Sequence, residues 1–111
     1  MKVALLLADG FEEIEALTPA DTLRRAGATV DIIGIDKKEI VGAHGIKLIA
    51  DITSDTAEVS GYGAVIFPGG MPGAANLDAS EFSDKIIAAV QKNGGRIAAI
   101  CAAPMVLGHR Y

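Results

Sequence analysis

Tryptophan is absent from the chain, cysteine occurs once, and aromatic residues make up only 5% of it. A single cysteine excludes an intramolecular disulfide, which leaves Cys101 as a buried filler, a reactive thiol or an intermolecular bridge. Long apolar runs are missing too. The stretches that exist are short and broken by Asp, Glu or Gly, which excludes a membrane-spanning helix. Asp9, Glu12 and Glu13 follow the first apolar run directly, so no secretory signal is expected and a cytoplasmic location is the default. Basic clusters are limited to Arg24-Arg25 and Lys37-Lys38, and the net charge is −4. A phosphate backbone has little to bind here, so nucleic acid is not expected as a tight partner. What remains is half hydrophobic and 22% charged over 111 residues, the range of one globular domain spanning 1–111.

Patterning predicts alternating strands and helices. Lys2 to Ala8 (KVALLLA) reads as a strand buried on both faces, and Thr29 to Ile35 as a second. Between them, Thr18-Pro19-Ala20-Asp21 has the form of a capping box with Pro at the first helical position, which predicts a helix from Pro19 to Ala26 ended by Gly27. A helical turn over Glu12 to Leu17 is expected before it, with a kink. Glu39 to Val41 and Ile46 to Ile49, around Gly42 and Gly45, read as a small hairpin. Ala64 to Phe67 is a third buried strand, ended by Pro68-Gly69-Gly70. Phe82, Ile86, Ala89 and Val90 recur at helical spacing before Asn93-Gly94-Gly95, and Arg96 to Ile100 is a fourth buried strand running into Cys101. This order implies an α/β sandwich, flavodoxin-like or Rossmann-like, with a mostly parallel sheet. With one face incompletely covered, the fold is expected to be incomplete at the C-terminus and to need a further segment or a partner.

In such sheets the reactive crevice lies at the carboxyl ends of the strands. Cys101 stands where a strand meets a helix, with Ala102, Ala103 and Pro104 after it. Small neighbours at a sharp strand-to-helix turn are what a nucleophile elbow requires, and unpaired amides there favour a thiolate. The competing reading is a small hydrophobe packed in the core. The loop Pro68 to Asn76 lacks the spacing of a phosphate cradle, and Pro72 removes an N–H. Its adjacent glycines suit either an oxyanion hole or a plain tight turn. The first loop carries three glutamates, Glu12, Glu13 and Glu15, where a dinucleotide would need glycines, so NAD is not expected. One of the three is a candidate general acid/base and the others read as solvated residues of a first helical turn; spacing does not choose among them. His109 and His44 read most simply as a surface and a hairpin residue.

Taken together and in this order, GFEEIEAL with TPADTLRRAG, FPGGMPGAANL and AAICAAPMVL resemble the ThiJ/PfpI superfamily, in the branch of the Parkinsonism-associated deglycase and its bacterial relatives. The resemblance implies that Cys101 is an oxidisable nucleophile and Glu15 a buried, protonated acid bonded to it. Gly69 and Gly70 match a glycine pair near the thiol, with the Gly70 and Ala102 amides as oxyanion donors. His44 stands where relatives often carry Arg near the site, which makes it a substrate-binding candidate. The protease-like branch has His after the cysteine; Ala102 in that position disfavours a peptidase. The implied activity is of glyoxalase or deglycase type on 2-oxoaldehydes or their glycation adducts, without metal or cofactor. A small aldehyde is the expected substrate, a homodimer through Thr18 to Arg25 the expected assembly, and a separate C-terminal segment a candidate partner. The alternative is a redox-sensing stress protein or chaperone oxidised at Cys101.

Overall fold

The apolar run at the start of the chain is buried at every position after Lys2, which a strand achieves only inside a sheet covered on both faces. The computed structural model, which describes residues 1–111, places it there. In chain order the elements are β1 (Lys2–Leu7), α1 (Glu13–Arg25), β2 (Thr29–Gly34), β3 (Glu39–Val41), β4 (Lys47–Ile49), β5 (Ile52–Thr53), a 3-10 turn (Val59–Gly61), β6 (Ala64–Phe67), α2 (Gly73–Ala79), α3 (Glu81–Lys92), β7 (Arg96–Ala99) and α4 (Pro104–Gly108). Five strands form one sheet in the order β5-β2-β1-β6-β7, and every pairing in it is parallel. The chain therefore builds outward from β1 in one direction and then crosses to the other side. The crevice of such a sheet falls at that reversal, between the carboxyl ends of β1 and β6. The β3–β4 hairpin is antiparallel and stands apart from the sheet.

Alternation along β1 divides the core. Val3, Leu5 and Leu7 pack with Phe11, Ala16 and Ala20 on the α1 side, while Ala4, Leu6 and Ala8 pack with Phe67, Leu77, Ile86 and Val106 on the side of α2, α3 and α4. Each Val, Leu, Ile or Phe side chain so buried stabilises by about 1.5–3 kcal/mol. α3 is capped by the Ser80 side chain, which accepts from Phe82 N at 3.2 Å, and stops at Gly94, which takes the left-handed conformation with φ 68°.

Four expectations change. α1 is a single helix that begins after Glu12, whose side chain accepts from Ile14 N, and runs straight through Pro19. The capping box at Thr18 is not used. Proline removes one N–H from the ladder, and continuous packing of Ala16 and Ala20 against the sheet offsets that loss. Gly73–Ala79 is helical rather than loop, and the two-residue β5 adds a fifth strand. Finally, β7 is not a buried strand. Arg96 and Ala98 are exposed and Ile97 and Ala99 half-buried, because β7 has a neighbour on one side only and α1 does not extend over it. Between α1 and this edge runs an apolar groove of about 590 Å³, lined by Ile14, Pro19, Leu23, Ile66, Ala98 and Ile100, with Glu15 also at its wall.

Candidate active site

Three segments meet at the carboxyl end of the sheet: the connection from β1 into α1, the turn after β6, and the corner between β7 and α4. Cys101 occupies that corner with φ 59°, one of two non-glycine residues in the left-handed region. For an L residue this conformation costs about 1–2 kcal/mol. The corner is held by Ile100 N donating to Phe67 O at 3.2 Å and by Ala103 N donating to Ile100 O at 3.0 Å. Ala103 is fully buried beneath it, and the Cys101 side chain is exposed. α4 is only five residues long, so its dipole is short. The N–H groups of Gly70, Cys101 and Ala102 donate to no acceptor within the chain.

Gly69 is the joint of the site. Its N–H donates to Glu15 Oε1 at 3.1 Å, and its carbonyl accepts from Glu12 N at 2.9 Å. A Cβ at this position would overlap Glu15 Oε1 and lie 2.8 Å from Ile100 O and 3.0 Å from Cys101 Cβ. Only a glycine leaves this point open, so that the Glu15 carboxyl and the cysteine can both border it. Gly70, with φ 91°, is equally constrained, since a Cβ there would overlap Glu12 N and lie 2.7 Å from Gly10 O. The structure thus brings Cys101, Glu15, Gly69, Gly70 and Ala102 together. Glu15 is half-buried rather than buried, because it borders the open groove, and its hydrogen bond runs to Gly69 N–H.

His44 is placed elsewhere. Its Nδ1 lies 2.9 Å from Glu13 Oε1 and 3.8 Å from Glu12 Oε1. Glu13, expected to be solvated, is buried with 4% of its surface exposed. The reason is the hairpin turn, whose amides at His44 and Ile46 donate to Glu13 Oε2 at 2.9 and 3.2 Å. Burial pushes the Glu13 carboxyl up, but hydrogen bonds from the His44 imidazole and from the backbone of Glu13, His44 and Ile46 outweigh it and hold the group at about 2. The hydrogen bond to Glu13 and its charge, with Glu12 adding to them, raise His44 above its ordinary value against the opposing effect of burial. Ligand atoms of Glu12, Glu13 and His44 lie within 4.8 Å of one another; the two amides and the imidazole already account for the Glu13 oxygens without a cation. Sequence reasoning passed over Glu13. The available signal was the pair of glycines around His44, since a Cβ at Gly42 would overlap the Glu13 carboxylate. His109 is a surface residue, paired with Asp78 at 2.6 Å in a clasp where Arg110 also bonds Asp78 and Asp84.

A mostly parallel sheet flanked by helices, with an exposed cysteine on a strained corner and a carboxyl bordering the same bare glycine, defines an α/β protein with a candidate site at the carboxyl end of its sheet. More particularly, the chain belongs to the DJ-1/PfpI family, whose pattern matches residues 1–110. It is 36% identical over 108 residues to the Parkinson disease protein 7 homolog of Danio rerio, covering 96% of this chain and 57% of that protein. It is 29% identical over 110 residues to a protein of Thermococcus kodakarensis named a deglycase, covering 96% of this chain and 64% of that one. Among solved structures it is similar to oxidized DJ-1 of Toxoplasma gondii, with a TM-score of 0.89 and 38% identity over 95% of this chain and 58% of that chain. The chain spans between half and two thirds of the length of these relatives.

Proposed function

We propose that this chain carries the reactive site of a cofactor-independent cysteine enzyme acting on small 2-oxoaldehydes or their glycation adducts. The observation that carries the reading is Gly69, whose missing side chain leaves open the one small space that the Glu15 carboxyl and Cys101 both border. In this reading the corner at Cys101 is a nucleophile elbow. The thiolate adds to the aldehyde carbon of methylglyoxal, and the oxygen charge that develops is met by the free N–H groups of Gly70 and Ala102. Glu15 gives its proton to that oxygen, and as the carboxylate then carries one proton from the first carbon of the hemithioacetal to the second and the hydroxyl proton from the first oxygen to the second, giving a thioester of a 2-hydroxy acid. Water then cleaves the thioester, releasing lactate and the thiol, so the sum is addition of one water to the aldehyde. His44, held on the hairpin by Glu13, is given no part in these steps. A homodimer through α1 belongs to the same reading; exposed Ile14 and Leu17 support it, and sedimentation measures it.

The test is lactate formation from methylglyoxal by the purified chain, with Cys101→Ser and Glu15→Gln beside it. Cys101-dependent lactate supports the reading, and lactate made equally by Cys101→Ser removes it. A second reading, a redox-sensing stress protein, is favoured by the exposure of the Cys101 thiol, since oxidation selects accessible sulfur. Glu15→Gln separates the two: turnover is lost under the first reading, while under the second dilute peroxide still adds oxygen at Cys101, as read by intact mass.

A further inference from the structure

Glu13 is the one charged side chain in the buried set, and the chemistry proposed above gives it no part. Its neighbourhood is built around it. Both carboxylate oxygens face the turn between β3 and β4, accepting from the amides of His44 and Ile46 and meeting the His44 imidazole. Gly42 has no side chain where one would strike this carboxylate. The same turn is bonded to the connection that leads into α1: Gly10 N donates to Val41 O at 2.8 Å, and Ala43 N donates to Phe11 O at 2.7 Å. That connection continues to the site, because Glu12 N donates to Gly69 O at 2.9 Å and Gly69 N donates to Glu15 Oε1. Two positions along a helix turn a side chain by about 200°. Glu13 and Glu15 therefore leave the first turn of α1 on opposite sides, one gripping the hairpin and the other meeting Gly69.

We propose that Glu13 is a positioning residue for Cys101 and Glu15: by gripping the hairpin turn it fixes the first turn of α1 and, through the backbone bonds of residues 10–12, the place of Gly69, whose bare face both groups border. The proposal rests on reading Cys101 and Glu15 as a working pair. A buried carboxylate aimed away from the site is thus part of its geometry, and the hairpin outside the sheet is its anchor.

The test compares Glu13→Gln and Glu15→Gln with the wild-type full chain. The readouts are the pH profile of Cys101 alkylation by iodoacetamide, kcat and KM with methylglyoxal, and thermal melting. Glutamine keeps the volume but turns an NH2 toward amide donors that need an acceptor. Glu13→Gln is expected to lower kcat roughly 10- to 100-fold at unchanged KM, and to move the alkylation profile away from that of the wild type, as Glu15→Gln does, at temperatures well below melting. Should Glu13→Gln not fold, Gly42→Ala presses a methyl onto the same carboxylate from the hairpin side and is expected to give the same movement. A folded variant that melts earlier yet alkylates with the wild-type profile overturns the proposal, since the role is then structural alone. Alkylation needs no substrate. A wild-type chain that leaves methylglyoxal untouched therefore removes the aldehyde reading, and the profile alone then decides on Glu13.

Discussion

Placing a methyl group at Gly69 is the sharpest perturbation of this site. In Gly69→Ala the new Cβ meets three groups of unequal compliance: Glu15 Oε1, Ile100 O at 2.8 Å and Cys101 Cβ at 3.0 Å. The carboxylate is the end of a flexible side chain and swings away, losing its bond to Gly69 N–H. The carbonyl of Ile100 belongs to the corner that holds Cys101 and has no such freedom, so the backbone there must shift. Overpacking of this kind costs about 1–3 kcal/mol, which lowers the melting temperature by about 4–12 °C for a domain of this size. The effect on chemistry is larger than on stability. Displacing a reacting group by an ångström costs about 100-fold in rate, and here both groups move apart. The assay is paired: thermal melting by circular dichroism, and alkylation of Cys101 by iodoacetamide with methylglyoxal turnover on the same sample. A Gly69→Ala chain that melts and reacts like the wild type refutes the close approach on which the reading of the site stands.

Other expectations follow from single features. Replacing Cys101 by glycine relieves a left-handed backbone that costs about 1–2 kcal/mol, and the entropy glycine adds to the unfolded chain takes back about 0.4–1 kcal/mol; a small net gain in urea stability is expected beside complete loss of thiol chemistry. His44 is raised from its ordinary 6.5 by Glu13, so its charge stabilises the fold fully below that ordinary value and ceases to do so as pH rises through the raised one. The melting difference between wild type and His44→Gln is therefore greatest below pH 6.5 and vanishes in mildly alkaline buffer; a difference constant with pH contradicts the ion pair. Leu6 is fully buried in the central strand, and Leu6→Ala is expected to cost about 2–5 kcal/mol in denaturant titration.

Much of the sheet was legible because its strands are short apolar runs closed by turn residues. Ala64–Phe67 before Pro68-Gly69-Gly70 and the hairpin around Gly42 and Gly45 fall where patterning puts them. The rest depends on tertiary context. Pro19 looks like a helix start in sequence, and only the packing of Ala16 and Ala20 on the sheet carries the helix through it. Gly73–Ala79 has no apolar period of its own and becomes helical between the β6 turn and α3. In the site, the strand-to-helix corner at Cys101 was visible from the small residues after a strand. The choice among Glu12, Glu13 and Glu15 came from the resemblance and not from spacing, because the side that each glutamate faces is set by where α1 begins and by a hairpin thirty residues away in the chain, as the bond from His44 N to Glu13 shows with a separation of 31.

The unpaired amides at Gly70, Cys101 and Ala102 have a spectroscopic consequence. Backbone N–H groups bonded within β1 and its neighbours are shielded by the core of the sheet and exchange with deuterium only through rare openings. Those three have no internal bond to break, so their protons should leave within the first moments of exchange, a few residues from some of the slowest in the molecule. An anion or a carbonyl oxygen seated on them slows those three and leaves the sheet unchanged. The site therefore carries its own occupancy signal, readable for any compound without knowing what the protein turns over.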